Sequence, residues 1–298
     1  MGEMKELSID GLEVIGKGVT GTIYRLNEDQ ILKLYAPGVP LEDIKRQRNI
    51  SLSAYEKGIP TAQVFDLVTV GTQYGVIFEY LKTGTLMAAI GTDTDKRMAY
   101  ATKMGELLKK LHDTSFEPGS FQSIREMALG NINRCREFLT DGQVQELTDY
   151  LDNYEKPTRL LHGDFHENNI MVRDGELVLI DLDGMCEGNP IADFAQMFCS
   201  YRMPLPPAIA QKLNVTPEIT QEFLTRFLKA YYGNAEESVI RDYDELFTEC
   251  SKYHRFFFPL LKAKPEQKED MKKYIDEEFP KLRETMAICT ERMSALGF

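Results

Sequence analysis

Three residues with oxygen-bearing side chains, Asp164, Asn169 and Asp181, lie close together in the sequence, and the last two border short apolar runs. Carboxylate and amide oxygens are the hard ligands that Mg²⁺ takes, usually together with the phosphates of a substrate. If two of the three hold the cation, the remaining aspartate can accept the proton of an attacking hydroxyl group. A single Asp–Asn pair is more typical of a capped turn. The complete set therefore indicates metal-assisted chemistry.

A β-hairpin is predicted to bring these side chains together. Ile170–Val172 and Leu177–Ile180 have the apolar composition of short strands, and Asp174-Gly175 between them is a typical hairpin turn. Because paired strands lie side by side, the amide before the first strand and the carboxylate after the second should lie at the same end. The loop with the first aspartate would lie beside them.

These motifs resemble the catalytic core of the aminoglycoside phosphotransferase and choline kinase-like family, whose members are small-molecule kinases with a protein-kinase-like fold. The resemblance rests on His162-Gly163-Asp164, on Asn169 five residues after that aspartate, and on Ile180-Asp181. Several residue types at several spacings must agree for this match, so the motif is specific.

The resemblance implies a role for each position. Asp164 would be the catalytic base, and Asn169 and Asp181 would bind Mg²⁺. His162 would be a structural residue of the loop, and His166 would lie near the γ-phosphate.

Two further acids follow this core. Asp183 lies two residues after Asp181, so both would face the same side of a straight strand. Asp183 would then touch a second metal ion or the substrate, or else face outward where the strand ends. Asp193, near the start of the next predicted helix, resembles the family's buried aspartate that braces the catalytic loop. An acid that only favours the helix dipole is the simpler alternative.

A glycine-rich turn between two predicted strands lies near the start of the chain. Gly16, Gly18 and Gly21 form a GxGxxG pattern, which also occurs in dinucleotide-binding folds. There the glycines open a helix, whereas here Thr22–Leu26 is β-branched and aromatic and predicts a strand. A strand–glycine–strand hairpin is typical of kinases, whose loop covers the ATP phosphates with backbone N–H groups.

Lys33 lies within an apolar predicted strand, where its charge needs a partner. It matches the family's ATP-binding lysine, although a lysine on the solvent face of a strand is the alternative. In the family, a glutamate on the following helix pairs with this lysine. Gln47 stands at the expected position on the predicted helix Leu41–Lys57. Depending on register, three acids could serve instead: Glu42, Asp43 and Glu56.

The stretch Val76–Leu81 resembles the hinge between kinase lobes. By that resemblance, the backbone of Glu79 and Leu81 would hydrogen-bond the adenine, with Phe78 at its back. A buried edge strand is the alternative interpretation.

The predicted fold is α+β and two-lobed, of the protein-kinase-like type. Residues 1–81 would form a small lobe with an antiparallel sheet, the glycine-rich loop and one helix. Residues 82–298 would form a mainly helical lobe with the catalytic loop, the metal site and the acceptor pocket. The aromatic run Tyr253–Phe258 is more typical of a core than of a substrate cage.

Composition restricts the class of partner. The formal net charge of −12 disfavours nucleic acid and anionic membranes and mildly favours cationic small molecules. The five cysteines show no CxxC motif, which is typical of reduced thiols. The first residues lack the features of a signal peptide, and no apolar run is long enough to span a membrane. A cytoplasmic location is predicted.

Three hypotheses follow. The first is an Mg²⁺-dependent kinase that moves the γ-phosphate of ATP or GTP to a hydroxyl of an aminoglycoside, amino alcohol or sugar. The second is a nucleotide-binding pseudokinase or regulator with little catalysis, favoured by the uncharged Gln47. The third is a protein kinase, disfavoured because residues 184–189 are too few for an activation segment and no Ala-Pro-Glu motif follows. The acceptor, the donor base and the oligomeric state stay open.

Overall fold

The structure of the chain is a computed structural model that describes residues 4–18, 20–204 and 206–298. Two of the predictions touch residues outside these ranges: the absence of a signal peptide involves residues 1–3, and the glycine-rich turn contains Val19. Among the residues described, none of the helices combines the length and the apolar character needed to cross a bilayer.

The helices and strands follow each other in mixed order along the chain. The strands are β1 (Lys5–Glu6), β2 (Glu13–Lys17), β3 (Gly21–Arg25), β4 (Gln30–Tyr35), β5 (Val64–Val70), β6 (Gln73–Glu79), β7 (Arg159–Leu161), β8 (Ile170–Arg173), β9 (Glu176–Leu179) and β10 (Cys186–Gly188). The helices are α1 (Leu41–Glu56), α2 (Leu86–Thr92), α3 (Arg97–His112), α4 (Ile124–Arg134), α5 (Asp141–Tyr150), α6 (Ile191–Arg202), α7 (Pro207–Lys212), α8 (Pro217–Tyr231), α9 (Glu237–Lys262) and α10 (Lys268–Leu296).

The chain divides into two compact units. The first contains the residues up to Ala89 together with Glu167–Asp183, and the second contains Ile90–His166 and Gly184–Phe298. The β8–β9 hairpin thus belongs to the same unit as the N-terminal strands. The lobe boundary after Leu81 stays a prediction.

A six-stranded sheet forms the first unit. Its strand order is β1-β5-β6-β4-β3-β2, with β1 parallel to β5 and the other neighbours antiparallel. Side chains alternate between the faces of β4, so Leu32 and Leu34 join one apolar cluster while Tyr35 joins another with Ile44 of α1. Lys33 therefore points to the same face of the sheet as Tyr35, and α1 packs on that face.

The second unit is mainly helical, as predicted. α3 packs against α8, and α6 packs against α9, which also contacts α10. Aromatic rings fill the space between them: Phe194 stacks on Phe247 with centroids 4.1 Å apart, and Tyr232 stacks on Tyr243 at 3.9 Å. Rings of this size bury a large apolar area and pack in fixed geometry. They hold α6 in place, and this helix carries Asp193.

The observed strands that the sequence pattern does not predict are short. β7 and β10 pair with each other and have three residues each. Strands of this length carry no readable period, so neither is predicted. The aromatic run in α9 is core, as expected: Tyr253, Phe256 and Phe257 are buried.

His254, in the same run of α9, should make the stability depend on pH. Its Nε2 atom is buried with no hydrogen-bond partner among the described residues, although the residue as a whole is partly accessible. Burial lowers the pKa of His254 from 6.5 to about 4, and Asp193 offsets only part of this effect. As the pH falls below 6.5, the unfolded chain protonates His254, whereas the folded protein does so only near pH 4. The free energy of unfolding therefore decreases between these two pH values.

Between pH 7 and pH 5, we expect the wild type to lose about 2 kcal/mol more stability than His254→Phe. Urea unfolding of both proteins at the two pH values measures the difference, in which the titration of the other three histidines cancels. An identical pH dependence in the variant would show that this ring takes up its proton in the folded protein.

Candidate active site

The glycine-rich turn joins β2 to β3 as an antiparallel hairpin, as predicted. The N–H of Gly18 donates to the carbonyl oxygen of Gly21 at 2.9 Å. A Cβ atom on Gly21 would lie 2.3 Å from the carbonyl oxygen of Leu34 in the neighbouring strand. Only glycine fits so close to that strand, and the turn is thereby held next to β4, which carries Lys33.

Lys33 lies at the centre of the polar cluster in the first unit. Its Nζ donates to Oδ1 of Asp181 at 2.8 Å and to Oδ2 of Asp183 at 2.5 Å. The side chains of Lys33 and Asp183 are only 11% and 16% exposed, whereas that of Asp181 is 48% exposed. Asp181 is therefore the member of the cluster that a ligand from solvent can reach.

The charges in this cluster do not balance. Burial lowers the pKa of Lys33, but Asp183 and Asp181 outweigh that effect and raise it above the usual value, so the ammonium is retained. Burial also raises the pKa of the Asp183 carboxyl, and Lys33 offsets this only in part. Two carboxylates face one ammonium, and a further cation would relieve the excess negative charge.

The partner of Lys33 differs from both helix-based expectations. Gln47 does not hydrogen-bond it: the amide oxygen of Gln47 is buried with no hydrogen-bond partner in the described part of the chain. Two of the alternative acids, Glu42 and Asp43, instead form ion pairs with basic residues one turn along α1. The expected charge is supplied by carboxylates that follow β9.

The β8–β9 hairpin forms as predicted, with the Asp174-Gly175 turn at its tip and Ile170 opposite Leu179. At its open end the N–H of Ile180 donates to the carbonyl oxygen of Asn169 at 2.9 Å. Asn169 and Asp181 therefore lie at the same end of the hairpin. Both residues belong to the first unit.

Asp181 does not continue the strand, which corrects one expectation. β9 ends at Leu179, Asp181 has a φ of 57°, and Leu182–Gly184 form a 3-10 turn. Left-handed backbone is costly for residues other than glycine, though Asp and Asn tolerate it best. This reversal, rather than the alternation of a straight strand, turns Asp183 inward to Lys33. An outward-facing Asp183 is excluded.

The hinge-like stretch lies at the end of β6. The N–H of Glu79 donates to the carbonyl oxygen of Gln63 at 2.8 Å. The N–H of Leu81 has no partner in the ranges that the structure covers, and its side chain packs with Ala62 and Val178. Phe78 packs in the cluster of α1 instead. Leu81 thus keeps a donor available, while the adenine contacts of all three residues stay predictions.

The predicted catalytic aspartate lies in the second unit. Oδ1 of Asp164 accepts a hydrogen bond from Nε2 of Gln196 at 3.2 Å, and Oδ2 lies 3.4 Å from Nε2 of His166. Its backbone N–H donates to Nδ1 of the buried His162 at 3.3 Å. The Asp164 side chain is 46% exposed. A half-accessible carboxylate, held from two sides, is suited to receive a proton.

Asp193 holds the backbone of this loop. Its two carboxylate oxygens accept the N–H groups of His162 and Gly163, each at 2.8 Å, and Nε2 of His112 lies 3.1 Å away. Burial raises the pKa of Asp193, but these hydrogen bonds and the histidines outweigh it and lower the pKa. Gly163 has a φ of 78°, and a Cβ atom there would lie 2.1 Å from the carbonyl oxygen of Gly184.

Asp193→Asn is expected to destabilise the protein by about 3–5 kcal/mol, because it removes one partner of a buried charged network. The amide would also place a donor against the N–H groups that now meet an oxygen. Urea unfolding measures the loss, with the exposed Asp242→Asn as the control for the same change in charge. A loss below about 1 kcal/mol, the range of surface ion pairs, would contradict a bracing role.

The residues of the first unit suit a hard cation. Among the residues described, no group of three or more His, Cys, Asp or Glu is arranged as a metal site. Mg²⁺ does not need such a group, because it binds through one or two carboxylates plus substrate phosphates. Asp181, Asp183 and the amide of Asn169 supply oxygen donors of this kind.

Comparison with known families matches residues 11–231 to the phosphotransferase enzyme family. The chain belongs to this family. A search of curated proteins finds no significant match. The matched part of the chain spans both the glycine-rich turn and the predicted catalytic loop, so the family assignment rests on both units.

Solved structures of phosphotransferases share the fold. A choline/ethanolamine kinase family protein from Mesorhizobium loti has a TM-score of 0.58 at 14% identity, covering 96% of this chain and 92% of that chain. Aminoglycoside phosphotransferase APH(3'')-Id from Streptomyces rimosus, in complex with ADP and streptomycin, has a TM-score of 0.60 at 18% identity, covering 85% and 93%. An amicoumacin kinase with AMP-PNP and Ca²⁺ has a TM-score of 0.60 at 13% identity, covering 92% and 89%. The α+β, protein-kinase-like fold of this phosphotransferase is thereby confirmed.

Gln196 is the polar residue at this site that sequence reasoning missed. The sequence does show that Gln196 lies three residues after Asp193 and so shares its face of the helix. The contact with Asp164 joins residues on different elements, and no local pattern reports it.

Proposed function

We propose that this phosphotransferase moves the γ-phosphate of ATP or GTP to a hydroxyl group of a small molecule, in a reaction that depends on Mg²⁺. The observation that carries the proposal is the pairing of Lys33 with Asp181 and Asp183. A buried lysine with excess carboxylate charge, beside a glycine hairpin, suits a nucleotide that arrives with a divalent cation.

Each residue then has a chemical task. Asp164 accepts the proton of the acceptor hydroxyl as the hydroxyl oxygen bonds to the γ-phosphorus. The bond between the γ-phosphorus and the β–γ bridging oxygen breaks, and the nucleoside diphosphate leaves. Lys33 and the N–H groups of the glycine-rich turn hold the phosphates. Asn169 and Asp181 would hold Mg²⁺, which would neutralise negative charge on the nucleotide. Such catalysis consists mainly of positioning and electrostatic stabilisation.

The acceptor is proposed to be a cationic molecule with a free hydroxyl, such as an amino alcohol or an aminoglycoside. The net charge of −12 supports this class. So do the structural neighbours, which include a choline/ethanolamine kinase family protein and an aminoglycoside phosphotransferase bound to streptomycin. We also propose a cytoplasmic location, supported by five cysteines that are all free and buried.

The alternative of a regulator with little catalysis is less favoured in this proposal. It depended on the missing charge at Gln47, but Lys33 has two carboxylate partners without that residue. The predicted short connection after Asp183 is also present, since α6 begins at Ile191. A protein acceptor is therefore disfavoured as well.

A coupled assay for nucleoside diphosphate formation tests the proposal. Mg·ATP and Mg·GTP would each be offered with a panel of amino alcohols, aminoglycosides, neutral sugars and casein. We expect turnover with a cationic hydroxyl compound and none when EDTA removes the metal. Labelling of casein alone, or equal turnover with EDTA, would contradict the proposal.

A further inference from the structure

Gln196 interrupts the buried part of α6. Of the nine residues from Ile191 to Cys199, eight are buried and Gln196 is the one that keeps partial access to solvent. A polar side chain at the single accessible position of such a segment contributes nothing to the core. Its contacts must be explained by what it meets at the surface.

The one hydrogen bond that the structure shows for the side chain of Gln196, within the described ranges, goes to Asp164. Nε2 lies 3.2 Å from Oδ1 of that carboxylate. A carboxylate only accepts hydrogen bonds, so the amide nitrogen and not the oxygen must face it. Two histidines also face Asp164 among the residues that the structure describes: His166, 3.4 Å from Oδ2, and His162, whose Nδ1 accepts the backbone N–H of Asp164.

The same helix also holds the loop backbone. Asp193, three residues before Gln196 and on the same face of α6, accepts the N–H groups of His162 and Gly163. The buried part of α6 thus contacts both the loop backbone and the Asp164 carboxylate. Sites carried by helices keep their geometry better than sites carried by loops.

We propose that Gln196 is a positioning residue for the general base: its amide N–H fixes the orientation of the Asp164 carboxylate and stabilises its charged form. The inference rests on the function proposed above. A neutral donor suits this task because it holds the carboxylate without giving it a proton or forming a competing ion pair. The amide oxygen, on the other side of the group, remains able to accept a hydrogen bond from the acceptor molecule.

Two substitutions separate positioning from a structural role. Gln196→Met keeps the length of the side chain and removes the donor. Gln196→Glu keeps both length and polarity but places a negative charge against Asp164, which disfavours the charged form of the base. Ser200→Ala, at an exposed position later in the same helix, is the matched control. A residue that only fills space at a polar surface would accept Glu better than Met.

We expect kcat for Mg·ATP to fall about ten- to a hundredfold in Gln196→Met, the value of a hydrogen bond to a charged group. The kcat of Gln196→Glu should fall further than that of Gln196→Met. KM for ATP and the melting temperature should match those of Ser200→Ala, because neither variant changes the nucleotide site or the core. Equal kcat in all variants and the wild type, or a Glu variant more active than Met, would overturn the inference.

A second measurement does not depend on catalysis. Protein labelled with ¹³C at the aspartate carboxyl carbons would be titrated by NMR, with the Asp164 signal assigned as the one that Asp164→Asn removes. We expect its midpoint to move to higher pH in Gln196→Met and further in Gln196→Glu. An unchanged midpoint would overturn the inference even if the wild type proved inactive, whereas inactivity with a shifted midpoint would contradict only the proposed function.

Discussion

Asp164→Asn is expected to lower the turnover of Mg·ATP by about a hundred- to ten-thousandfold while leaving nucleotide binding intact. The loss follows from the removal of a general base, whose contribution to rate typically falls in this range. Asparagine has the shape of aspartate, so its backbone N–H should keep the contact with His162. Nucleotide affinity should be preserved, because Lys33 and its carboxylate partners belong to the other unit.

Steady-state turnover and a thermal-shift titration with Mg·ATP measure the two effects separately. Asp242→Asn is the matched control, since it makes the same chemical change at an exposed position of the same unit. Wild-type turnover in Asp164→Asn would refute the assignment of the base. Loss of nucleotide binding along with turnover would instead assign Asp164 to the nucleotide site.

Asp181→Asn should abolish the Mg²⁺-dependent part of nucleotide binding. The substitution removes the most exposed carboxylate of the cluster but keeps a residue type that tolerates a φ of 57°. Lys33 retains Asp183 as a partner, so the fold of the unit should survive. In the wild type, a nucleotide at a hundred times its Kd stabilises by about 2.7 kcal/mol, a shift of roughly 5 °C.

The melting temperatures of both proteins with ATP and with GTP, in Mg²⁺ and in EDTA, measure this effect. Asp174→Asn is a close control: it lies in the same hairpin, has a φ of 52° and is exposed at the turn. We expect the control to behave as the wild type does, and the nucleotide that shifts it more identifies the donor. An equal Mg²⁺-dependent shift in Asp181→Asn would remove this residue from the metal site.

Local features of the site could be predicted because their causes are local. The β8–β9 hairpin follows from two apolar runs joined by a turn. The two turn residues, Asp174 and Gly175, adopt positive φ angles. The strand–glycine–strand arrangement around Gly21 follows from the residues on either side of it. In each case the interacting residues are separated by only a few positions, so pattern and turn chemistry are sufficient.

The partner of Lys33 could not be predicted in this way. The sequence directs attention to α1, the next helix, where Gln47 lacks the required charge. The partners are Asp181 and Asp183, 148 and 150 residues further along the chain. A left-handed residue and a 3-10 turn bring both carboxylates to one ammonium, and a strand period cannot indicate such a reversal.

The resemblance of the motifs to a kinase family implied the protein-kinase-like fold. The sequence by itself determined the β8–β9 hairpin and the identity of the residues that could bind a cation or accept a proton. Those properties depend on residue type and short spacing. Only the tertiary structure decided which charges meet Lys33, and that Gln196 contacts Asp164 from the same helix as Asp193. These contacts depend on how the sheet and the helices pack their apolar faces, and packing joins residues whose separation in the sequence carries no signal.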